Sequence, residues 1–175
     1  MKKSTIFLVQ ASIIAALYAV LTIGQNLLLP GSASLAVQFR VSEVLTVLAF
    51  FMPAAIPGLT VGCLIANISS AVAGLGVYDM FFGTLATFIA VTSMYLLRNI
   101  KLKKIPILGL LMPAISNGII IGFEIDFFFI GSMSFNFPDF LLQGGLVTLG
   151  EVLVMLILGI PFFFMIYRTS NKFYH

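Results

Sequence analysis

The chain has 175 residues, of which 61% are hydrophobic and only 9% carry a charge. Soluble domains carry about 25% charged residues, so this composition excludes an ordinary soluble protein and indicates an all-α membrane protein. A helix needs about 20 mostly apolar residues to cross a bilayer. The length therefore allows about six transmembrane helices in a single domain, residues 1–175, with no room for a soluble catalytic domain.

Apolar runs separated by turn signals predict where these six helices lie. Proline cannot continue a helix, and clusters of proline, glycine and polar residues favour turns. The predicted spans cover about residues 5–28, 40–52, 56–73, 77–97, 106–123 and 138–167. The phenylalanine-rich connection 124–136 is predicted to form an ordered lid. The sixth span exceeds the length of a perpendicular crossing, which predicts tilt, a protruding end or a bend near Pro161.

The basic residues predict the orientation of the chain. With the N-terminus inside, eight of the nine lysines and arginines lie at the cytoplasmic face, and the C-terminus is cytoplasmic too. Arg40 is the exception. The same threading places all six acidic residues at or near the outer half. The positive-inside rule does not require that clustering of acids, so it calls for another explanation.

The segment from Gln38 to Asn67 carries the strongest signal of a site. Arg40 and Glu43 lie three residues apart at the mouth of an apolar span, where charges are costly, so we expect them to pair or to face an aqueous cavity. Polar groups of four other spans fall at the same predicted depth: Asn67, Tyr78, Asp79, Asn117, Glu124, Gln143 and Glu151. A substrate-binding cavity open to the outside, lined by all nine residues, is the prediction.

Structural explanations remain open for several of these groups. Arg40 and Glu43 could form an ion pair at the membrane interface, and the two asparagines could join helices by hydrogen bonds. Three acids near helix starts or in a connection could be solvated caps: Asp79, Asp126 and Asp139. Glu151 resists such an explanation, because no basic residue lies near it in sequence and an unpaired buried carboxylate is costly. We therefore expect Glu151 to contact a ligand or an ion.

The first span carries a different signal, a stripe of small residues. Ala11, Ala15 and Ala19 recur every four residues along its cytoplasmic half. Small residues at this spacing let helix backbones approach closely. The stripe is either packing between helices of this chain or a docking face for a partner protein.

Motifs for catalysis are missing from the sequence. It contains no phosphate-binding loop, no HExxH or Cys/His metal cluster and no nucleophile elbow. Its one cysteine, Cys63, lies in an apolar run, and its one histidine is the terminal His175. We therefore expect neither an enzyme nor a metal or cofactor site, and no nucleic-acid partner.

Three stretches within about thirty residues carry a family resemblance: Gln38 to Leu45, Phe51 to Leu59, and Gly62 to Asn67. They resemble the QueT family, the queuosine-precursor-specific S components of energy-coupling factor (ECF) transporters. The length and the six-span layout of the whole chain agree with that family. The resemblance implies the six-helix S-component fold, in a bacterial cell membrane, with an outward-facing pocket.

The resemblance also implies partners and a ligand. The alanine stripe is similar to the motif through which S components contact a transmembrane coupling protein, and two cytoplasmic ATPases hydrolyse the ATP. The implied ligand is a 7-deazaguanine base, such as the 7-cyano or 7-aminomethyl compound. Glu151 or Glu43 would accept hydrogen bonds from its guanine-like edge, and Tyr78 or a lid phenylalanine would stack on the ring.

Other functions remain as alternatives. The chain could be an S component for another vitamin or nucleobase, or a non-transporting scaffold subunit whose polar groups only join helices. A proton-coupled carrier working alone is a further alternative, given Glu151 and Asp79 in apolar surroundings.

Overall fold

Helices account for nearly all of the chain that can be described. The computed structural model describes residues 2–29, 39–70, 77–102, 105–130 and 133–173, without the side chains of 69–70 and 170–173. In the described ranges the only extended pairing is an isolated bridge between Leu102 and Ile105. The predicted turn at 30–32, the end of the third span beyond residue 70 and the lysines at 103 and 104 lie outside these residues.

The helices follow the predicted order but differ in type. The described ranges contain seven α-helices: α1 Lys3–Leu28, α2 Ala55–Ser70, α3 Tyr78–Leu97, α4 Ile107–Leu110, α5 Met112–Glu124, α6 Phe137–Val154 and α7 Ile160–Phe173. A 3₁₀ helix, Val41–Phe50, lies between α1 and α2. Two π-helical segments, Ile125–Ile130 and Met155–Gly159, continue α5 and α6.

Four helical stretches of the described chain are long and apolar enough to cross a membrane. They are Lys3–Leu28, Tyr78–Leu97, Ile107–Ile130 and Phe137–Thr169, which correspond to the first, fourth, fifth and sixth predicted spans. The second and third predicted spans correspond to two shorter apolar helices, Val41–Phe50 and α2. The all-helical membrane fold is therefore confirmed, whereas the count of six crossings stays a prediction.

The 3₁₀ helix is the element around which the others pack. It contacts α1, α2, α3, α6, α7 and the second π segment. Its β-branched residues disfavour an α-helix, and the Thr46 hydroxyl donates to the Glu43 carbonyl, three residues back, at 2.6 Å. A 3₁₀ helix rises about 2.0 Å per residue, so ten residues span about 20 Å where an α-helix would span about 15 Å. Its apolar face packs in the core with Leu59, Met94 and Phe163.

The structure adds three details to the predicted layout. The fifth predicted span lies within one candidate crossing, Ile107–Ile130, with a turn at Leu111 between α4 and α5, where Pro113 in the first turn of α5 cannot donate to a preceding carbonyl. The helix of the fifth span continues past its predicted end at residue 123, as a π helix to Ile130, so the first part of the predicted lid 124–136 is helical. Asp126, on that segment, is buried and accepts a hydrogen bond from the Asn136 backbone at 3.0 Å, so it is not a solvated cap.

The sixth span contains a π-helical segment near Pro161, where the sequence offered a bend as one explanation of its length. The second π segment ends at Gly159, and α7 begins one residue before Pro161. Proline lacks the N–H that would bond the carbonyl four residues earlier, at Ile157. The wider π turn lies where that hydrogen bond is lost. The helix continues beyond it to Phe173.

Glycines allow α5 and α6 to touch backbone to backbone. A Cβ atom built on Gly144 would lie 2.5 Å from the Gly118 carbonyl oxygen, and one on Gly122 would lie 2.6 Å from the Gly144 Cα atom. The Thr148 hydroxyl bonds the Ala114 carbonyl across the same contact at 3.3 Å. The approach of these helices therefore depends on residues without side chains.

We expect Gly144→Ala to lower the free energy of unfolding by about 1–3 kcal/mol, since the added methyl group must displace the α5 backbone. Gly145→Ala is the matched control, because a Cβ atom there meets nothing within 4 Å. Denaturant unfolding of the two purified variants in detergent micelles measures the difference. Equal stability of the two variants would contradict the described packing of α5 on α6.

Candidate functional site

Hydrogen bonds hold the start of the 3₁₀ helix against α1. The Tyr18 hydroxyl donates to Glu43 Oε1 at 2.5 Å, and the Thr22 hydroxyl donates to Ser42 Oγ at 2.7 Å. Gln25 accepts from the Val41 backbone N–H at 2.9 Å and donates to the Phe39 carbonyl. We call these contacts of Tyr18, Thr22 and Gln25 with residues 39–43 the polar ladder. The ladder fixes Glu43 in a fully buried position.

A second buried carboxylate lies on α6. Glu151 is 1% exposed, and its Oε1 accepts a hydrogen bond from Asn117 Nδ2 of α5 at 3.2 Å. Glu124, at the end of α5, is also 1% exposed. Asn117 and Glu124 lie seven residues apart and therefore share one face of α5. The close contact of α5 with α6 thus joins Asn117 to Glu151, while Glu124 lies two turns farther along the same face of α5.

The charges of these elements act on one another. The positive charge of Arg40 interacts electrostatically with the carboxylates of Glu43, Glu124 and Glu151. The carboxylate of Glu151 is also close enough to Glu43 for the two to repel. Arg40 itself is buried. The 3₁₀ helix, α5 and α6 therefore bring one arginine and three carboxylates into a single cluster, which we call the acidic cluster.

Each carboxylate of the acidic cluster has an oxygen that no donor in the described part of the chain reaches. These atoms are Oε2 of Glu43, Oε2 of Glu124 and Oε2 of Glu151, and each is buried. A buried carboxylate oxygen without a donor is costly. The cluster can therefore accept hydrogen bonds from a polar molecule that carries several N–H groups.

Asn67 and Asp79 meet at the contact between α2 and α3. Asn67 is 1% exposed, and its Nδ2 donates to the Asp79 carbonyl at 3.0 Å and to Cys63 Sγ at 3.4 Å. Gly83 permits this contact, since a Cβ atom there would lie 2.6 Å from Asn67 Nδ2. The amide nitrogen of Asn67 thus joins α2 to α3. This agrees with the alternative in which the asparagines join helices by hydrogen bonds. The half-buried Asp79 interacts electrostatically with Glu124 and Arg40.

Aromatic rings lie beside these helix ends. Tyr78 is 42% exposed and stacks on Phe128 of the first π segment, with ring centroids 4.1 Å apart. Further ring contacts continue through four phenylalanines: Phe82, Phe123, Phe127 and Phe135. Tyr78 therefore has an aromatic partner within the chain. Its stacking on a ligand stays a prediction.

The structure brings five of the nine predicted site residues into one cluster and two more to its edge. Arg40 interacts electrostatically with Glu43, Glu124 and Glu151, and Asn117 donates to Glu151. Asn67 and Asp79 join at the neighbouring contact of α2 with α3. Gln143 is half-buried on α6, eight residues before Glu151. Its role, like the ligand-binding role of the other eight residues, stays a prediction.

The sequence interpretation missed the polar ladder. Tyr18, Thr22 and Gln25 have the spacing i, i+4 and i+7, which places them on one face of α1. A polar face on an otherwise apolar span indicates contact with other polar groups. That signal was present beside the alanine stripe and could have identified Tyr18 as a partner of the predicted site. The burial of Asp126 was missed as well, because the π helix that carries it gives no sequence signal.

The alanine stripe contacts α2 in this structure. A Cβ atom on Gly58 would lie 2.8 Å from the Ala11 carbonyl oxygen, and one on Gly62 would lie 2.7 Å from the Ala15 carbonyl oxygen. Because the residue numbers increase in the same direction along both helices at these contacts, α1 and α2 run parallel. Ala15 and Ala19 are buried. These contacts are those expected from internal packing, and a docking role for the stripe stays a prediction.

Apart from the acidic cluster, an apolar cleft of about 310 Å³ lies between α2 and α3. Its lining is Thr60, Leu64, Met80, Phe81, Thr84, Leu85 and Phe88. It includes none of the predicted site residues. Within the part of the chain that the structure describes, no group of acidic, histidine and cysteine side chains is arranged to hold a metal ion.

Comparison with known proteins identifies the family. The model of the QueT transporter family matches residues 8–168. The chain belongs to the QueT transporter family. With four helical stretches among its described residues that are long and apolar enough to cross a bilayer, it is a multi-pass membrane protein of a transporter family.

A curated relative supports the same family. The chain is 42% identical over 74 residues to the "Queuosine precursor transporter QueT" of Lactococcus lactis subsp. cremoris (strain MG1363). The match covers 40% of this chain and 41% of that relative, so it spans about two fifths of the relative's length. No solved structure matches the chain significantly.

Proposed function

We propose that this chain is the membrane-embedded substrate-binding subunit, or S component, of an ECF importer that captures a queuosine precursor of the 7-deazaguanine type. Membership of the QueT transporter family supports a transport function. The name of the Lactococcus lactis relative supports the ligand class. The sequence resemblance to S components supports the ECF assignment.

The observation that carries the proposal is the acidic cluster. A guanine-like ring presents adjacent N–H donors on one edge, and a carboxylate accepts such donors in pairs. Buried charges in membrane helices usually mark substrate or ion pathways. Glu43, Glu124 and Glu151 each retain a buried oxygen that no donor of residues 2–29, 39–70, 77–102, 105–130 and 133–173 reaches. The cluster thus provides acceptors that match the edge of the proposed ligand.

The other predicted residues complete the proposed site. Glu43 or Glu151 accepts the guanine-like edge, while Arg40, Asn117 and Gln143 serve the ring carbonyl and nitrogens. Asn67 contributes through its amide oxygen, since its amide nitrogen already bonds Asp79 and Cys63. An aminomethyl group on the ligand would be cationic and would use a further acid of the cluster. Tyr78 stacks on the ligand ring, on the side of the site where its own partner Phe128 lies.

Energy for uptake comes from other polypeptides in this proposal. Two cytoplasmic ATPases hydrolyse ATP, and a transmembrane coupling protein contacts the S component near the stripe of Ala11, Ala15 and Ala19. The chain crosses a bacterial cell membrane six times with both termini in the cytoplasm. The position of eight of nine basic residues supports this orientation.

A ligand panel tests the proposed specificity. We expect the purified protein to bind the 7-cyano or the 7-aminomethyl deazaguanine at micromolar concentration or below, with one molecule per chain, as measured by isothermal titration calorimetry. Vitamins of unrelated structure and guanine serve as comparison ligands. Tight binding of a vitamin and no binding of any deazapurine would replace the proposal by an S component of other specificity.

Uptake in reconstituted vesicles tests the ECF assignment. We expect import of labelled 7-aminomethyl deazaguanine only when the coupling protein, both ATPases and ATP accompany the chain. Vesicles with ATPases inactivated at the phosphate-binding lysine are the control. Import by the chain alone, driven by a proton gradient, would contradict the assignment and favour a proton-coupled carrier.

A further inference from the structure

Tyr18 is the buried polar group that the proposed site does not yet use. It lies in the middle of α1, is 0% exposed, and donates its hydroxyl to Glu43 Oε1 at 2.5 Å. Among the described residues no other hydrogen bond reaches the Glu43 carboxylate, and no donor reaches Oε2, which is buried. The two oxygens of Glu43 therefore differ, since Tyr18 holds Oε1 and no described donor holds Oε2.

Packing fixes the direction of the Tyr18 side chain. Gly62 of α2 lies against it so closely that a Cβ atom on the glycine would be 2.8 Å from Tyr18 Cβ. One turn later on α1, Thr22 bonds Ser42, next to Glu43 in the sequence. The base of the tyrosine side chain is thus packed against α2, while the neighbouring ladder contact holds the backbone that carries Glu43.

We propose that Tyr18 is a positioning residue of the site, which orients the Glu43 carboxylate so that Oε2 is the oxygen offered to the ligand. This inference rests on the proposed function. A carboxylate free to rotate would lose conformational freedom on binding, whereas one held at Oε1 is already oriented. The phenol hydroxyl, being neutral, orients the carboxylate without cancelling its charge.

A double-mutant cycle tests the proposal with 7-aminomethyl deazaguanine as the probe. We expect Tyr18→Phe to weaken binding about tenfold, the effect of one hydrogen bond to a charged group. In a Glu43→Gln background, Tyr18→Phe is expected to weaken binding less than about twofold, because the carboxylate that Tyr18 orients is already absent. Thr22→Val is the comparison within the ladder: it removes a hydroxyl that holds the backbone beside Glu43 without touching a carboxylate, and we expect it to weaken binding less than Tyr18→Phe does.

The outcomes separate the two proposals. If the wild-type protein binds no deazaguanine, both the proposed function and this inference fail. If the wild-type protein binds but Tyr18→Phe matches it, only the inference fails. Equal losses for Tyr18→Phe and Thr22→Val, or a Tyr18→Phe effect that persists in Glu43→Gln, would also overturn it, since the ladder would then act through folding alone.

Infrared difference spectra of the unsubstituted protein give a second measurement that does not depend on the folding of Tyr18→Phe. We expect ligand binding to shift the carboxylate bands that disappear in Glu43→Gln, together with the band of an isotope-labelled tyrosine at position 18. Carboxylate and tyrosine bands that stay unchanged while ligand binds would overturn the proposal.

Discussion

Replacing Arg40 by glutamine is expected to lower the free energy of unfolding by about 3–5 kcal/mol, the cost of removing one partner from a buried charge cluster. Arg40 is 4% exposed and interacts with three carboxylates from the 3₁₀ helix, α5 and α6. Without it, Glu43, Glu124 and Glu151 would share a buried site with no opposing charge. Denaturant unfolding in detergent micelles measures the loss.

Arg168→Gln is the matched control for this prediction. Arg168 is exposed on α7, and its loss is expected to change stability by less than about 0.5 kcal/mol. Similar stability of the two variants would show that Arg40 is not the charge that holds the acidic cluster together.

Glu151→Gln is expected to reduce affinity for the deazaguanine ligand about 100-fold, which corresponds to about 2.7 kcal/mol. Glutamine has the shape of glutamate and keeps an oxygen that accepts from Asn117, so we expect the fold to persist. The ligand loses a charged acceptor, and the amide group presents a donor where the ligand also has donors. Calorimetric titration of the folded variant gives the affinity.

Asp139→Asn provides the comparison for Glu151. Asp139 is a half-buried acid in the first turn of α6, and its neutralisation is expected to change affinity less than about twofold. Unchanged affinity in Glu151→Gln would remove this residue from the site. Lost folding with no specific effect on binding would favour a structural role for the Asn117–Glu151 hydrogen bond.

Most of the helical layout could be predicted from the apolar runs of the sequence and from the prolines and glycines that end helices. This works because lipid requires each spanning segment to satisfy its own backbone hydrogen bonds. The helix types could not be predicted. A 3₁₀ helix at Val41–Phe50 and π turns at Ile125–Ile130 and Met155–Gly159 keep the same hydrophobic character as α-helices. Pro161 gave a signal beside one of the π turns, and the β-branched residues of Val41–Phe50 disfavour an α-helix without specifying a 3₁₀ helix.

The candidate site, like the fold, could be predicted only in part from the sequence. Ionisable residues in apolar spans are rare enough that Arg40, Glu43 and Glu151 could be selected from the sequence. Their partners could not, because the donor to Glu43 is a tyrosine 25 residues away and the amide of Asn67 turns toward Asp79. Those contacts depend on how closely Gly62 and Gly83 let neighbouring helices approach, which is a property of the folded chain.

A structure of the protein with bound 7-aminomethyl deazaguanine tests the central claim most directly. We predict that the ring lies at the acidic cluster, with its N–H edge within hydrogen-bonding distance of Glu43 Oε2 or Glu151 Oε2. A ligand bound in the apolar cleft between α2 and α3, with the cluster's carboxylates touching only one another, would contradict the account.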